Sequence, residues 1–592
     1  MMKQKLFFCL FAVTALFTSC SSDDPTITVL TNDSTGAPIT QISLGANKDT
    51  KGSVVFESSD DWEAKATLSD GTECNWLIIS PAQGKAGKVS VTVKANSSNM
   101  TGEPRTATLT LYGDGKALQN LSVTQAKMDF IELDQSQLSM SISAQGGDVD
   151  IPFTCSLPEN GLVQVAYSSS LKGWAQLSWL SNTRSLEQKA LRVSVDANPF
   201  TGERSAQLQL RILNANDDVV MQTDVITLTQ TAGPELTSTD ESKDGEYKVL
   251  QTHSKGNVGI PLVILGDGFV DTQIASGYYD ECMQRGIDNF FSEEPYTSLR
   301  EYFDVWQVTA VSHSNVLDGK HKTAISSYPT GDGTLIEGDH SMALAYAQEV
   351  PQLQTIEALS ELTILVVMNT DAYAGTCYFG FSFDGQTTSN LAVGYAPMIY
   401  GPRHEESRQV MVHENAGHGF AKLGDEYGYS SNGTAPQSLR DKLLSFQEIG
   451  WMMNISATGD PELVPWSRFL KDSRYTNDGN GFALGVLEGG YTYTNGIWKP
   501  TEDSMMGSNQ DGFNAPSREA IYKRVMSMAY GSPWEYDYEE FVKFDQAHLP
   551  VNSAKTRAIQ MEREGFDLLD KEEMKKRPLF HEPVFVGVVL LK

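Results

Sequence analysis

The sequence predicts a multidomain chain in which two all-β sandwiches precede one larger α/β domain. Three observations carry this expectation. A strand pattern recurs about a hundred residues apart within the first 230 residues. An acidic, polar stretch then interrupts the chain. Beyond it, continuous apolar runs alternate with segments of helical spacing. At 592 residues the chain has room for about three or four domains. It is 40% apolar and 20% charged, as globular proteins are, which excludes a disordered or fibrous chain. The formal charge of −30 argues against nucleic acid or an anionic bilayer as partner. Six cysteines in this length exclude a disulfide scaffold.

The chain opens with Lys3 and Lys5 ahead of an apolar run from Leu6 to Phe17. Twelve residues are too short to span a bilayer core of about 30 Å, so residues 1–19 read as a secretory signal peptide. The run ends in Phe17-Thr18-Ser19-Cys20, which resembles a bacterial lipobox with Phe17 in place of the usual leucine. The resemblance implies cleavage before Cys20, lipidation there, and an acidic tether over residues 20–25. The mature protein is then expected at the bacterial cell envelope, as an outer-membrane lipoprotein at the cell surface. It would touch the membrane only through that anchor. Near the other end, Val584 to Leu591 is β-rich and too short to span, and reads as a buried strand.

In the first repeat, Val89–Asn96 is followed by Thr101-Gly102-Glu103-Pro104-Arg105 and an alternating strand. In the second, Val193–Asn198 is followed by Thr201-Gly202-Glu203-Arg204 and another. Both copies close on Thr-Gln, at Gln125 and Gln230. Strict alternation about an Asn/Gly turn indicates half-buried antiparallel strands, and several per hundred residues indicate a sandwich. Trp62 with Trp76, and Trp174 with Trp179, are expected to fill the two small cores. The pattern resembles the BACON domain over residues 26–127 and 128–232. The resemblance implies immunoglobulin-like sandwiches and raises contact with glycan or mucin. No cluster of exposed aromatics stands out as a sugar platform, so a spacer role is favoured.

Residues 233–246 read as a linker, and 247–592 as the α/β domain. Ile260–Leu265 is an apolar run closed by Gly266-Asp267-Gly268, a tight turn rather than a phosphate loop, because the further glycines and the Lys-Ser/Thr are missing. Residues 277–292 show helical spacing, with Tyr279, Met283, Ile287 and Phe290–Phe291 on one face. Tyr302–Val311 and Leu362–Met368 read as strands.

The chemistry concentrates in His413-Glu414-x-x-x-His418, followed by Gly424-Asp425-Glu426-Tyr427. Two imidazoles and a carboxylate suit a catalytic zinc, which wants three protein ligands and one open position. A glutamate beside the first histidine points at the metal-bound water and can take its proton. One zinc per chain is expected, with Glu414 as general base. The histidines are five apart, whereas a regular helix brings i and i+4 together. Five residues turn about 500°, leaving the rings about 140° apart. A π-type turn between Glu414 and His418 is therefore predicted, accommodated by Gly417 or Gly419.

This segment resembles the signature of the IgA-peptidase family of zinc metallopeptidases. So do Leu262–Phe269, Phe290–Tyr296 and Arg300–Phe303, so the resemblance covers roughly residues 245–590. The five-residue spacing departs from the family's four but is similar to that of the dipeptidyl peptidases III. The return of the chain at Gly424 resembles the metzincin arrangement. The implied fold is a zincin/metzincin-like domain, with Gly424 ending the helix. Asp425 is the favoured third ligand and Glu426 the runner-up, the loser orienting a ligand histidine. Met505 and Met506, in Ser504-Met505-Met506-Gly507 before a helix from about Pro516 to Met528, resemble a Met-turn. Tyr491–Ile497, with Asn495-Gly496 as a hairpin turn, is placed beside the cleft.

The leading expectation is an envelope-anchored zinc endopeptidase acting on secreted proteins, whether glycosylated or not. The alternative is a non-enzymatic surface lipoprotein that binds glycan or mucin through its N-terminal domains. An amidase or deacetylase acting on sugar is a third class. The intact Glu414 favours the enzyme. The family name does not carry specificity for immunoglobulin A to this chain.

Overall fold

A computed structural model describes residues 24–550 and 566–588, apart from residues 29, 158–160, 181–188, 332, 510–511 and 575. Cys20 and the signal segment lie outside the described residues. Among the described residues no helix is long and apolar enough to cross a membrane. The chain divides into two compact units. The first comprises residues 1–132 with 154–161 and 214–221, and the second comprises the remainder.

The first unit is β-rich. A five-stranded and a three-stranded sheet share one core that includes Val54, Phe56, Trp62, Trp76, Val91, Val93 and Leu109. The alternation seen in the sequence reports these two inward faces. The repeat motif does its work at the edge of this core. Arg105 stacks on Trp76 with its guanidinium 4.7 Å from the ring centre, and its Nε donates to Gln125 Oε1 at 2.8 Å. In the second copy, Arg204 stacks on Trp174 at 5.0 Å and donates to Gln230 Oε1 at 2.8 Å. Asn198 Nδ2 donates to Gly202 O at 2.9 Å, four residues on, and Asn99 rather than Asn96 makes the equivalent bond to Glu103 O at 2.8 Å. The motif thus buttresses a corner of each domain. Trp62, Trp76 and Trp174 are buried, but Trp179 is half-buried at the edge against Phe153, so of the second pair only Trp174 lies within its core.

The second unit contains most of the second β-rich domain and all of the α/β domain. Strand Leu162–Tyr167 pairs in parallel with Phe566–Leu568, contributed from near the C-terminus. Ser169 N and Oγ donate to Asp570, and His404 Nε2 lies 2.9 Å from Ser169 O. The residues read as a linker are also docked. Ser238 Oγ donates to Ser312 O, Asp271 accepts from the backbone of Thr239 and Asp240, and Asp244 accepts from Val311 N. Of the segment's acidic side chains, Asp244 bonds to the α/β body, and Glu235, Asp240, Glu241 and Glu246 are exposed.

The α/β domain is built on a seven-stranded sheet. Its order is Tyr247–Gln251, Phe303–Val308, Ile260–Asp267, Thr363–Met368, Ala392–Pro397, Thr376–Ser382 and Val584–Val588. The four strands from Phe303–Val308 to Ala392–Pro397 run parallel, and Thr376–Ser382 runs against its inner neighbour. Successive residues of the Ile260–Asp267 strand enter different cores. Leu262 and Ile264 face the helices Tyr278–Phe290 and Ala515–Tyr530, while Val263 and Leu265 face the helix His340–Ala347. A strand covered on both faces reads as an unbroken apolar run. Tyr279, Met283, Ile287 and Phe290 are buried as the helical spacing required.

Gly266-Asp267-Gly268 ends its strand as the expected turn, with Gly268 at φ 78°. Asp267 is a buried hub. It accepts from Gly268 N, Ser312 Oγ, Thr323 Oγ1, Ile325 N and both Ser327 donors. At the far end, Val584–Val588 is a half-buried edge strand paired with Thr376–Ser382, not a buried one.

Candidate metal and catalytic centre

One continuous helix carries the motif. It begins as an α-helix over Glu405–Val410, where His404 accepts from Glu406 N, and continues as a π-helix over Met411–Phe420. The wide turn expected between Glu414 and His418 therefore extends over ten residues. Its end shows the long hydrogen bonds, Ala421 N to Ala416 O at 3.0 Å and Leu423 N to Gly417 O at 3.0 Å. The i→i+5 pattern stacks residues five apart on one face. The rings of His413 and His418 consequently lie 4.6 Å apart.

The glycines serve packing more than backbone freedom. A Cβ on Gly417 would lie 2.4 Å from Met506 Sδ, so the absence of a side chain lets Met506 sit beneath the helix. Gly424 does not turn the chain at the helix end. Lys422 adopts the left-handed conformation, φ 54°, and its buried ammonium donates to Gly419 O. Gly424 is needed because a Cβ there would lie 2.4 Å from Ile455 Cδ1.

Beyond this turn Asp425 joins the histidines. Its Oδ1 lies 3.1 Å from His413 Nε2 and 3.2 Å from His418 Nε2. All three side chains are buried, and their candidate donor atoms lie within 4.8 Å of one another. His413 Nδ1 lies 3.0 Å from Met505 O, and His418 Nδ1 lies 2.8 Å from Leu423 O. A carbonyl only accepts, so each Nδ1 carries the proton and each Nε2 presents a lone pair. Two lone pairs and a carboxylate then converge with no proton between them. Neither His418 Nε2 nor Asp425 Oδ2 has a hydrogen-bond partner. Such a cluster is repulsive unless a cation sits within it. Tetrahedral zinc with bonds of about 2.0–2.1 Å separates its ligand atoms by about 3.3 Å, close to the spacing here. The donor set therefore fits a zinc ion.

Glu414 is buried beside this cluster. Burial, reinforced by Asp425, pushes its carboxyl well above the usual range, opposed weakly by the Cys377 backbone. Neither oxygen has a well-formed hydrogen bond. Gly375 packs against it so closely that a Cβ would meet Oε1 at 2.9 Å. Burial also lowers His413, in keeping with a neutral ring.

Glu426 faces the other way and orients neither histidine; backbone carbonyls do that. It accepts from Asn454 Nδ2 at 2.8 Å, Ser504 Oγ at 2.9 Å, and Asn514 Nδ2 at 2.9 and 2.8 Å. Its own amide donates to Met506 O at 2.7 Å. Glu426 thus clamps the Ser504–Gly507 turn under the site, which is how Met505 O reaches His413. The nearby hairpin turns at Tyr491-Thr492, not Asn495-Gly496. Both residues have positive φ, because Tyr491 N donates to Asp425 O and Thr492 N to Tyr427 O. Gly496 lies inside the following strand, Tyr493–Lys499.

Sequence reasoning missed Leu423 O, Asn454 and Asn514, which lie far apart in the chain or act through backbone. It also missed Phe580, whose ring stands 5.7 Å from that of His413.

Comparison with known families now fits this geometry. Residues 250–477 match the family model of IgA peptidase M64. The M64 match supports a peptidase, and it spans the strand, helix and motif described above. Residues 65–126 match BACON, a putative N-terminal binding domain. No curated protein matches the chain. Among solved structures, a Bacteroides ovatus GH5 xyloglucanase in complex with a XXXG heptasaccharide is 18% identical over 20% of this chain, with a TM-score of 0.14. The match spans 22% of that enzyme's chain. Domains 4 and 5 of the S-layer protein SbsC are 12% identical over 35% of this chain and 100% of theirs, TM-score 0.16. Extracellular domains 3–5 of Drosophila OTK are 10% identical over 42% of this chain and 73% of theirs, TM-score 0.23. At such TM-scores these likenesses carry no argument about this chain.

Proposed function

We propose that the chain is a zinc-dependent endopeptidase of metzincin-like fold, with one zinc held by His413, His418 and Asp425. The convergence of three acceptor atoms beside a buried, unpartnered Glu414 carries this reading. When bound, zinc supplies Lewis-acid polarisation of a peptide carbonyl and acidifies water. Glu414 takes the proton from the attacking water and passes it to the leaving amine. Met505 O and Leu423 O keep both imidazoles in the tautomer that presents Nε2. Met506 fills the floor of the site, as a Met-turn does.

We further propose that the substrates are secreted or surface proteins, glycosylated ones included. The two immunoglobulin-like BACON domains space the enzyme from an envelope to which Cys20 is lipid-anchored. A glycan-binding role for these domains is the second reading. The structural role of half-buried Arg105 and of buried Gln125, Arg204 and Gln230 disfavours it as a function of the motif itself.

The test is Glu414→Gln. It should keep zinc and fold while lowering peptide hydrolysis about 10²–10⁴-fold. Near wild-type turnover in the variant would remove Glu414 from the chemistry.

A further inference from the structure

The site lies beneath a segment of its own chain. After the short helix Lys571–Met574, residues 577–583 cross the site and enter the strand Val584–Val588. Arg577 is tied to Glu406 at 2.8 and 3.1 Å. Phe580 is 2% exposed and packs between His413 and Tyr373, whose ring is 5.5 Å away. Leu579 N donates to Tyr429 Oη at 3.0 Å, and Thr334 Oγ1 donates to Leu579 O at 3.1 Å. Tyr427 Oη donates to Phe580 O. His581 N donates to Gly375 O at 3.2 Å.

These four bonds all engage main-chain atoms of the crossing segment, so they do not depend on its sequence. Gly375 is the residue packed against Glu414, and it leads into Thr376–Ser382. Without Val584–Val588, that strand would be the open edge of the sheet. An open edge beside a catalytic group is a place where an extended peptide can add as a strand. Here the chain's own C-terminal segment has added there. Beneath it His413, Glu414, His418 and Asp425 are at most 1% exposed. A scissile bond must come within about 3–3.5 Å of the reacting groups, so substrate and this segment need the same space.

We propose that Leu579–Glu582 is an intramolecular inhibitor lying in the substrate groove. The groove along Thr376–Ser382 takes extended peptides by strand addition, with a bulky apolar side chain in the place of Phe580. The substrate half of this proposal rests on the peptidase reading; the occlusion rests on geometry alone. Phe585 fixes the rest of the strand separately, between Phe379 and Phe446 and under Lys442 at 4.5 Å. The segment at the site can therefore lift while its anchor holds.

The experiment compares the zinc-loaded full chain with Phe580→Ala. It measures the rate of zinc extraction by dipicolinate and kcat/KM on a peptide library. Both quantities scale with the fraction of open sites, and each should rise about tenfold or more in the variant. A synthetic peptide of residues 576–584 should slow extraction again and compete with substrate. Unchanged extraction in folded Phe580→Ala, or a peptide without effect, overturns the proposal. Should Phe580→Ala not fold, amide exchange of wild-type residues 577–583 is followed as the same peptide is added. Faster exchange supports displacement, and unaltered exchange refutes it. If no form cleaves any peptide while the extraction rates still separate, the peptidase reading fails and the occlusion stands.

Discussion

Asp425 and Glu426 are adjacent, equally buried and acidic, yet the structure gives them opposite tasks. Glu426→Ala removes the acceptor of one buried N–H or O–H each on Asn454, Ser504 and Asn514, while Asn454 Nδ2 keeps Gly424 O and Asn514 Nδ2 keeps Thr501 Oγ1. Each orphan costs about 1–3 kcal/mol, so the variant should lose roughly 3–6 kcal/mol of stability, allowing for relaxation. Glu426→Gln should cost far less. Burial raises the Glu426 carboxyl to about 7 from 4.5, a penalty on its charge that the neutral amide removes. At about 1.36 kcal/mol per unit this relief is roughly 3 kcal/mol, which offsets the weakening of its hydrogen bonds. Both variants should still bind zinc. Asp425→Asn should do the reverse, losing zinc with little change in the stability of the metal-free chain. Urea unfolding of chelated protein and elemental analysis of purified protein read the two effects separately. Loss of zinc from Glu426→Gln, with zinc retained in Asp425→Asn, would refute this division of labour.

Asp267→Ala should destabilise the α/β domain by more than about 4 kcal/mol, since its carboxylate accepts from Gly268, Ser312, Thr323, Ile325 and Ser327. A midpoint shift typical of a surface substitution would contradict the hub. Burial raises Glu406 to about 7 from 4.5 despite Arg577. Its folded form therefore binds a proton that the unfolded form has released, and stability falls as pH rises from about 4.5 to about 7. That loss should be roughly 3 kcal/mol from Glu406 alone, and Glu406→Gln should make the pH–stability curve shallower over that window, leaving the like contribution of Glu426. A curve of unchanged slope would dismiss Glu406 as its source. Cys20→Ser should release the protein from membranes or block its maturation. Recovery of unacylated wild-type protein in the soluble fraction alone would reject the anchor.

Much of this molecule was legible because local pattern and burial agree. The run Leu362–Met368 is apolar throughout because its strand is covered on both faces. The spacing of His413 and His418 already required a helix wider than α, and the π-helix supplies it. What the sequence hid is long-range or backbone-mediated. Met505 and Leu423 act through carbonyls, which no side-chain pattern marks. Gly417 and Gly424 look like flexible points but make room for Met506 and Ile455. Asn495-Gly496 has strong turn propensity, yet pairing with residues 425–429 moves the turn to Tyr491-Thr492. Phe580 follows the motif by more than 150 residues, and its apolar neighbours gave no sign that it covers the site.

The central claim is that zinc occupies the point where His413, His418 and Asp425 converge. Crystals of the purified full chain, measured on both sides of the zinc absorption edge, test it most directly. The account predicts one anomalous peak per chain, about 2.0–2.2 Å from both Nε2 atoms and from an Asp425 carboxylate oxygen. Zinc-replete crystals with no peak there, or with the peak held by other side chains, would contradict it.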